Sequence, residues 1–154
     1  MEDPAQPRAQ QCLREYFAEL DRRFETGYDP ESALPCEPDE MRPPAGVFLV
    51  ATVDGRAVGC GALKLAAGQP AEVKRMWVSP TVRGLGIGRR LLEALESRAA
   101  DEHVDAVRLD TNHTLTEAIS LYRSAGYRPV APFNNEPYAD RWFEKRLGST
   151  APVL

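Results

Sequence analysis

With 154 residues and 43% hydrophobic side chains, the chain has material for one well-buried domain and not comfortably for two. Nineteen Lys and Arg against 23 Asp and Glu leave a net charge of −4, which argues against nucleic acid or an anionic membrane as a general partner. Cys12, Cys36 and Cys60 fit neither a disulfide framework nor a CxxC metal site, the Met1-Glu2-Asp3-Pro4 start has no leader character, and no apolar run is long enough to span a membrane. A cytoplasmic protein is expected.

Leu13, Phe17, Leu20 and Phe24 recur at helical spacing with Tyr16 beside them, predicting an amphipathic helix over about residues 8–25. Residues 26–45 carry five prolines and predict an irregular segment, equally readable as a surface loop or as a lid. Residues 47–53 and 57–65 flank Asp54-Gly55, a two-residue hairpin signal, and residues 71–78 extend the pair into an antiparallel meander. Plain alternation along that third strand places Glu72, Lys74, Met76 and Val78 on one face and Val73, Arg75 and Trp77 on the other. Ile87, Leu91, Leu92, Leu95 and Ala99 form the stripe of a second helix ending near Ala100, and residues 104–109 predict a strand. Thr114-Leu115-Thr116-Glu117 fits a capping box for a third helix closed by Gly126, with final strands over 127–130 and 141–147.

Between the third strand and the second helix runs Arg83-Gly84-Leu85-Gly86-Ile87-Gly88-Arg89. Three glycines let backbone N–H groups approach a ligand, and the helix start adds partial positive charge, so the turn is suited to an anion. Arg83, Arg89 and Arg90 crowd the same end, a conflict that a bound phosphate would resolve. A Walker loop is excluded because no Gly-Lys-Ser/Thr follows. A dinucleotide fingerprint gains something from Asp110, at about the place of a ribose-binding acid. It fails because Arg89 stands where the third glycine belongs and because the preceding strand lies in a meander.

Arg83-x-x-Gly86-x-Gly88 after the strand end Val78-Ser79-Pro80, followed downstream by Ala118-Ile119-Ser120-Leu121-Tyr122-Arg123-Ser124-Ala125-Gly126-Tyr127, resembles the two signature blocks of the GNAT superfamily of acyl-CoA-dependent N-acyltransferases. The resemblance covers about residues 47–147. It implies an α/β fold with a mixed, largely antiparallel sheet flanked by helices and splayed to admit a pantetheine arm. The first strand is expected to be absent or very short, since Met1 to Gln10 contains no convincing one.

The resemblance also implies roles. Acetyl-CoA would be the co-substrate, without a metal. Met76, Trp77 and Val78 would run along the pantetheine, although a residue such as Trp77 is more often core than site. Arg83 and the backbone of Gly84, Leu85, Gly86, Ile87, Gly88 and Arg89 would hold the pyrophosphate. Leu115 stands where family members often carry Asn, and Asn112 is the candidate substitute. Tyr122 matches the family's thiolate-facing tyrosine, and an N–H near Val78 is the candidate oxyanion donor. Glu72 resembles the strand glutamate that some members use as base, against an ordinary ion-pair role beside Lys74 or Arg75. His103 and His113 are weaker candidates. The acceptor would be an amine on a small molecule or peptide, and homodimers are common in the family. The competing reading is an acyl-CoA sensor or partner protein without catalysis. Glu31, Glu37, Asp39 and Glu40 against Arg42 suggest an acidic cover that favours a cationic acceptor, unless they merely solubilise a loop. Asn134 to Tyr138 is a second segment that could face the acceptor.

Overall fold

The computed structural model describes residues 1–148. Helix α1, Pro7–Arg23, opens with proline in its first turn, where the missing N–H is harmless, and buries Ala9, Cys12, Leu13 and Leu20. Ahead of it there is no strand, as expected; Glu2 N–H donates to Phe48 O at 2.9 Å. Strands β1 (Gly46–Val53) and β2 (Arg56–Lys64) form the expected hairpin. Asp54 and Gly55 both take positive φ, 50° and 78°, the combination that a tight turn between twisted strands requires.

Strand β3 (Ala71–Val78) pairs antiparallel with β2, and helix α2 (Ile87–Asp101) leads to β4 (Ala106–Thr111). Helix α3 (Thr116–Ser124) is followed by a two-residue β5 (Arg128–Pro129) and by β6 (Arg141–Arg146). Among the described residues six strands lie in the order β1-β2-β3-β4-β6-β5, with β3–β4 as the parallel pair. Leu91, Leu92, Leu95 and Ala99 of α2 pack on Leu63, Val73 and Val107 on one face of the sheet. Cys12 and Leu13 of α1 pack on Phe48, Cys60 and Trp77 on the other. Each fully buried leucine of the α2 stripe contributes about 1.5–3 kcal/mol. Among the described residues no helix is long and apolar enough to cross a membrane.

Three local expectations change. The capping box at residues 114–117 does not form: α3 begins after Leu115 without a side-chain cap, and Thr114 Oγ1 donates instead to Asn112 Oδ1 at 2.8 Å. A capping box appears instead at the 3-10 turn Pro38–Met41, between Glu37 and Glu40. Most consequentially, the alternation along β3 is broken. Cys60 pairs with Trp77 but Ala62 pairs with Lys74, so Arg75 and Met76 together oppose Gly61, and Arg75 takes φ 56°. This bulge resets the faces. Met76 and Val78 join Val73 over α2, while Glu72 points to the opposite face.

Glu117 is diverted to a different task. Arg23 Nη1 and Nη2 donate to its two carboxylate oxygens at 2.8 and 3.1 Å, clipping α1 to the start of α3. The Arg23 hydrogen bonds, helped by a backbone N–H, depress the Glu117 pKa to about 2. A depressed carboxylate stabilises above its unfolded pKa of about 4.3, and this stabilisation is lost as pH falls toward 2. Glu117 is more than half exposed and its charge is screened by solvent, so Glu117→Gln should lower stability at pH 7 by at most about 1 kcal/mol. Urea denaturation from pH 7 to 3 should show the gap between wild type and variant narrowing; a gap independent of pH would remove the ion pair as its source.

Candidate functional site

The parallel pairing of β3 with β4 stops after Ala71–Val107 and Glu72–Arg108, and the strands part beyond it. A wedge opens between the C-terminal half of β3 and the start of α3. On the glycine-loop side it is a cavity of about 370 Å³, walled by Met76, Trp77 and Val78 of β3 and by Ala118, Leu121 and Tyr122 of α3.

At the mouth of this cavity α2 begins at Gly86, with φ 79° and no side-chain cap, so the amides of Ile87, Gly88 and Arg89 keep their N–H groups free of helical partners. A Cβ on Gly84 or Gly86 would enter space with no protein atom within 4 Å. The turn is therefore a cradle of donors at a helix N-terminus, and it fits a pyrophosphate. Arg83 also lines the cavity, with its guanidinium paired to Glu19 of α1. Arg89 is exposed and donates to Ser124 of α3. Leu85, by contrast, does not line the cavity: its side chain is 70% exposed and its N–H donates to Val82 O at 3.3 Å.

A second cavity, about 80 Å³, is also bordered by Tyr122. Tyr16 of α1 and Phe24 just beyond its end line it, as do Tyr28, Leu34 and Cys36 of the proline-rich segment and Lys74 and Arg75 at the bulge. Asp110 at the end of β4 and Glu136 and Tyr138 of the last loop complete it. Tyr138 Oη accepts from Asp29 N–H at 3.0 Å, tying the two covering segments together. The cavities share Tyr16, Leu20, Met76, Leu115, Ala118 and Tyr122 as a common wall.

Tyr122 is 5% exposed, packs beside Tyr127 and Phe143, and burial pushes its phenol well above the ordinary tyrosine range. It stays protonated at neutral pH. Glu136 is half-buried, and desolvation raises its carboxyl pKa against the opposing effect of N–H groups donated by Tyr138 and Leu34. Asp110 sits 3.4 Å from Lys74 Nζ and accepts from Asn134 Nδ2 at 2.8 Å.

Several expected placements fail. Glu72 lines neither cavity; Arg108 Nε holds it at 3.5 Å on the opposite face from Met76 and Val78. Asn112 borders the second cavity rather than the first. Its amide is engaged within the chain, donating to Tyr138 O at 2.8 Å and accepting from Thr114 N–H at 3.0 Å. The proline-rich segment does cover a cavity, but with Tyr28, Leu34 and Cys36 rather than its carboxylates. Glu40 is bound to Lys64 at 2.8 Å, Asp39 is paired with Arg42, and Glu31 is exposed. None of the segment's carboxylates lines the cavity. His113 pairs with Asp140 on the surface and His103 is exposed in a turn. Sequence reading passed over Arg75 and Asp110 as cavity residues. The available signal, for Arg75, was the adjacent Lys74-Arg75 pair, which breaks the apolar–polar alternation with which the strand begins.

The same architecture recurs in known proteins. A family model described as the acetyltransferase (GNAT) family matches residues 13–127. An IAA acetyltransferase of Azospirillum brasilense is 39% identical over 130 residues, covering 84% of each chain. A GNAT-family acetyltransferase of Staphylococcus aureus superposes with a TM-score of 0.78 at 19% identity, over 93% of this chain and 96% of that one. A GNAT-family acetyltransferase of Elizabethkingia anophelis with acetyl-CoA bound shares the fold at TM-score 0.58 and 18% identity, covering 80% and 94%. A family match across most of the chain, a close relative of equal extent, and a splayed β3–β4 wedge opening on a glycine cradle agree, and the chain belongs to the GNAT family as an acyl-CoA-dependent N-acetyltransferase.

Proposed function

We infer that the protein transfers the acetyl group of acetyl-CoA to a primary amine on a small acceptor by direct attack on the thioester. The observation that carries this reading is that two cavities, one at the glycine cradle and one under the proline-rich segment, share a wall that includes Tyr122. The larger takes the donor, with the free amides at the start of α2 on the pyrophosphate and the unpaired part of β3 along the pantetheine, as an added strand would lie. The smaller takes the amine. Tyr122 then stands at the junction as a protonated donor to the departing thiolate.

An amine of pKa about 10.4 is neutral in only about one molecule in 2,500 at pH 7, a penalty of about 4.6 kcal/mol that a base must relieve. Glu72 faces away from the cavities, so in this reading Glu136 accepts the proton, and its raised pKa makes it a stronger base than an ordinary carboxylate.

The test is amine-dependent release of CoA thiol, with acetylated product identified by mass spectrometry. A sensor would bind acetyl-CoA without that release. Activity needs Glu136 ionised, so the acid limb of kcat/KM should lie above the ordinary carboxylate value of about 4.3, because burial raises this pKa. Glu136→Gln should lower kcat/KM by about 100-fold and abolish that limb. An unchanged limb in an active variant would assign the base elsewhere.

A further inference from the structure

A guanidinium is seldom buried without an anion beside it, because it stays charged at every ordinary pH. Arg75 is half-buried and borders the smaller cavity, yet among the described residues it forms no ion pair. Its surroundings are neutral. The guanidinium lies over the Phe17 ring at 5.1 Å from the centroid, with Tyr16, Tyr28 and the Cys36 thiol as its polar neighbours.

The other charges of this cavity already have partners. Lys74 is matched to Asp110, and Glu136 accepts N–H groups from Leu34 and Tyr138 at 3.2 and 3.3 Å. The backbone supplies a second, independent observation. Arg75 is the left-handed residue of the β3 bulge, a conformation that side-chain-bearing residues rarely adopt. Because of the bulge, Lys74, Arg75 and Met76 all reach the cavity, which plain alternation would forbid.

We propose that Arg75 binds a carboxylate of the acceptor, so that the acetylated amine belongs to a small amino-acid-like zwitterion with an apolar body. This rests on the reading above that the smaller cavity holds the acceptor. A guanidinium presents two parallel N–H groups to the two oxygens of a carboxylate, and the same charge repels polycationic acceptors. Both ends of a zwitterion then find a complement: the carboxylate at Arg75, and at Glu136 the ammonium that must lose a proton. Tyr16, Phe24, Tyr28 and Tyr138 supply an aromatic wall for the side chain.

The experiment compares phenylalanine, methionine and leucine with their primary amides as acceptors for wild type, Arg75→Met and Arg75→Lys. The amides have the less basic amines, so chemistry alone favours them. Wild type should nevertheless prefer the carboxylates in kcat/KM by about 10- to 100-fold, the range of a charge-assisted contact. The ratio should fall to near parity in Arg75→Met and stay partly intact in Arg75→Lys. Calorimetric binding of N-acetylphenylalanine and its amide to the CoA-loaded protein gives the same comparison without turnover, and melting temperature reports whether the variants fold. Equal use of both members of each pair by wild type would overturn the role of Arg75 while leaving the transferase reading standing. So would a preference that survives in folded Arg75→Met. Failure of wild type to acetylate any amine, together with carboxylate-independent product binding, would overturn both readings.

Discussion

Gly86→Glu should abolish measurable CoA binding while the protein still folds. Gly86 caps α2 at φ 79°, and an added Cβ points into open space rather than into protein, so the substitution meets no steric barrier from the chain itself. Backbone strain at a positive φ costs about 1–3 kcal/mol, a load that a domain stable by about 5–15 kcal/mol carries. The carboxylate, by contrast, would occupy the place of the pyrophosphate beside the free amides of Ile87, Gly88 and Arg89, adding like charge to steric exclusion. Gly86→Asn is the control, because asparagine tolerates the left-handed region and brings no charge. Calorimetric titration with CoA, alongside thermal melting, reads the outcome. A folded glutamate variant with unchanged affinity would remove the loop from the donor site.

Tyr122→Phe should lower kcat by about 10²- to 10⁴-fold, the loss expected of a general acid, and leave acetyl-CoA affinity almost unchanged. The substitution keeps the ring between Tyr127 and Phe143 and removes one oxygen. Among the described residues that hydroxyl has no hydrogen-bond partner to strand, so stability should hardly move. A loss in kcat without a loss in binding is therefore the signature of a group that acts on the departing thiolate. A wild-type rate would return Tyr122 to the buried stripe of α3 as a packing residue only.

The parts of this molecule that sequence displays are those governed by local rules. The hairpin at Asp54-Gly55, the glycine cradle before Ile87 and the stripe Leu91, Leu92, Leu95 depend on φ preference and helical period, and each forms as expected. The loop Asn134–Tyr138 was also legible as a cavity wall, because an aromatic among polar residues on an irregular segment has little reason to be there for packing. What stayed hidden is the consequence of one residue inserted into a strand. Two positions of β3 facing Gly61 leave no mark in the residue types beyond the adjacent Lys74-Arg75 pair, yet they reverse the side of the sheet on which Glu72 stands relative to Met76. The same slip brings Arg75 to the cavity. Long-range pairing was equally invisible: Glu117 reads locally as a capping residue, but Arg23, 94 positions away, is the stronger partner.

The side chains that separate the two cavities belong to both. Tyr16, Leu20, Met76, Leu115 and Tyr122, which line both, carry rotatable side chains, so a molecule settling in either cavity fixes rotamers that its counterpart would otherwise have to order for itself. Each such side chain held in advance is worth about 0.5–1.5 kcal/mol to the second arrival. The coupling is reciprocal by thermodynamic necessity: the factor by which one occupant alters the hold on the other is the factor by which it is altered in return. A substitution in this partition therefore registers in two dissociation constants at once, and their common change measures how much of the wall both occupants share.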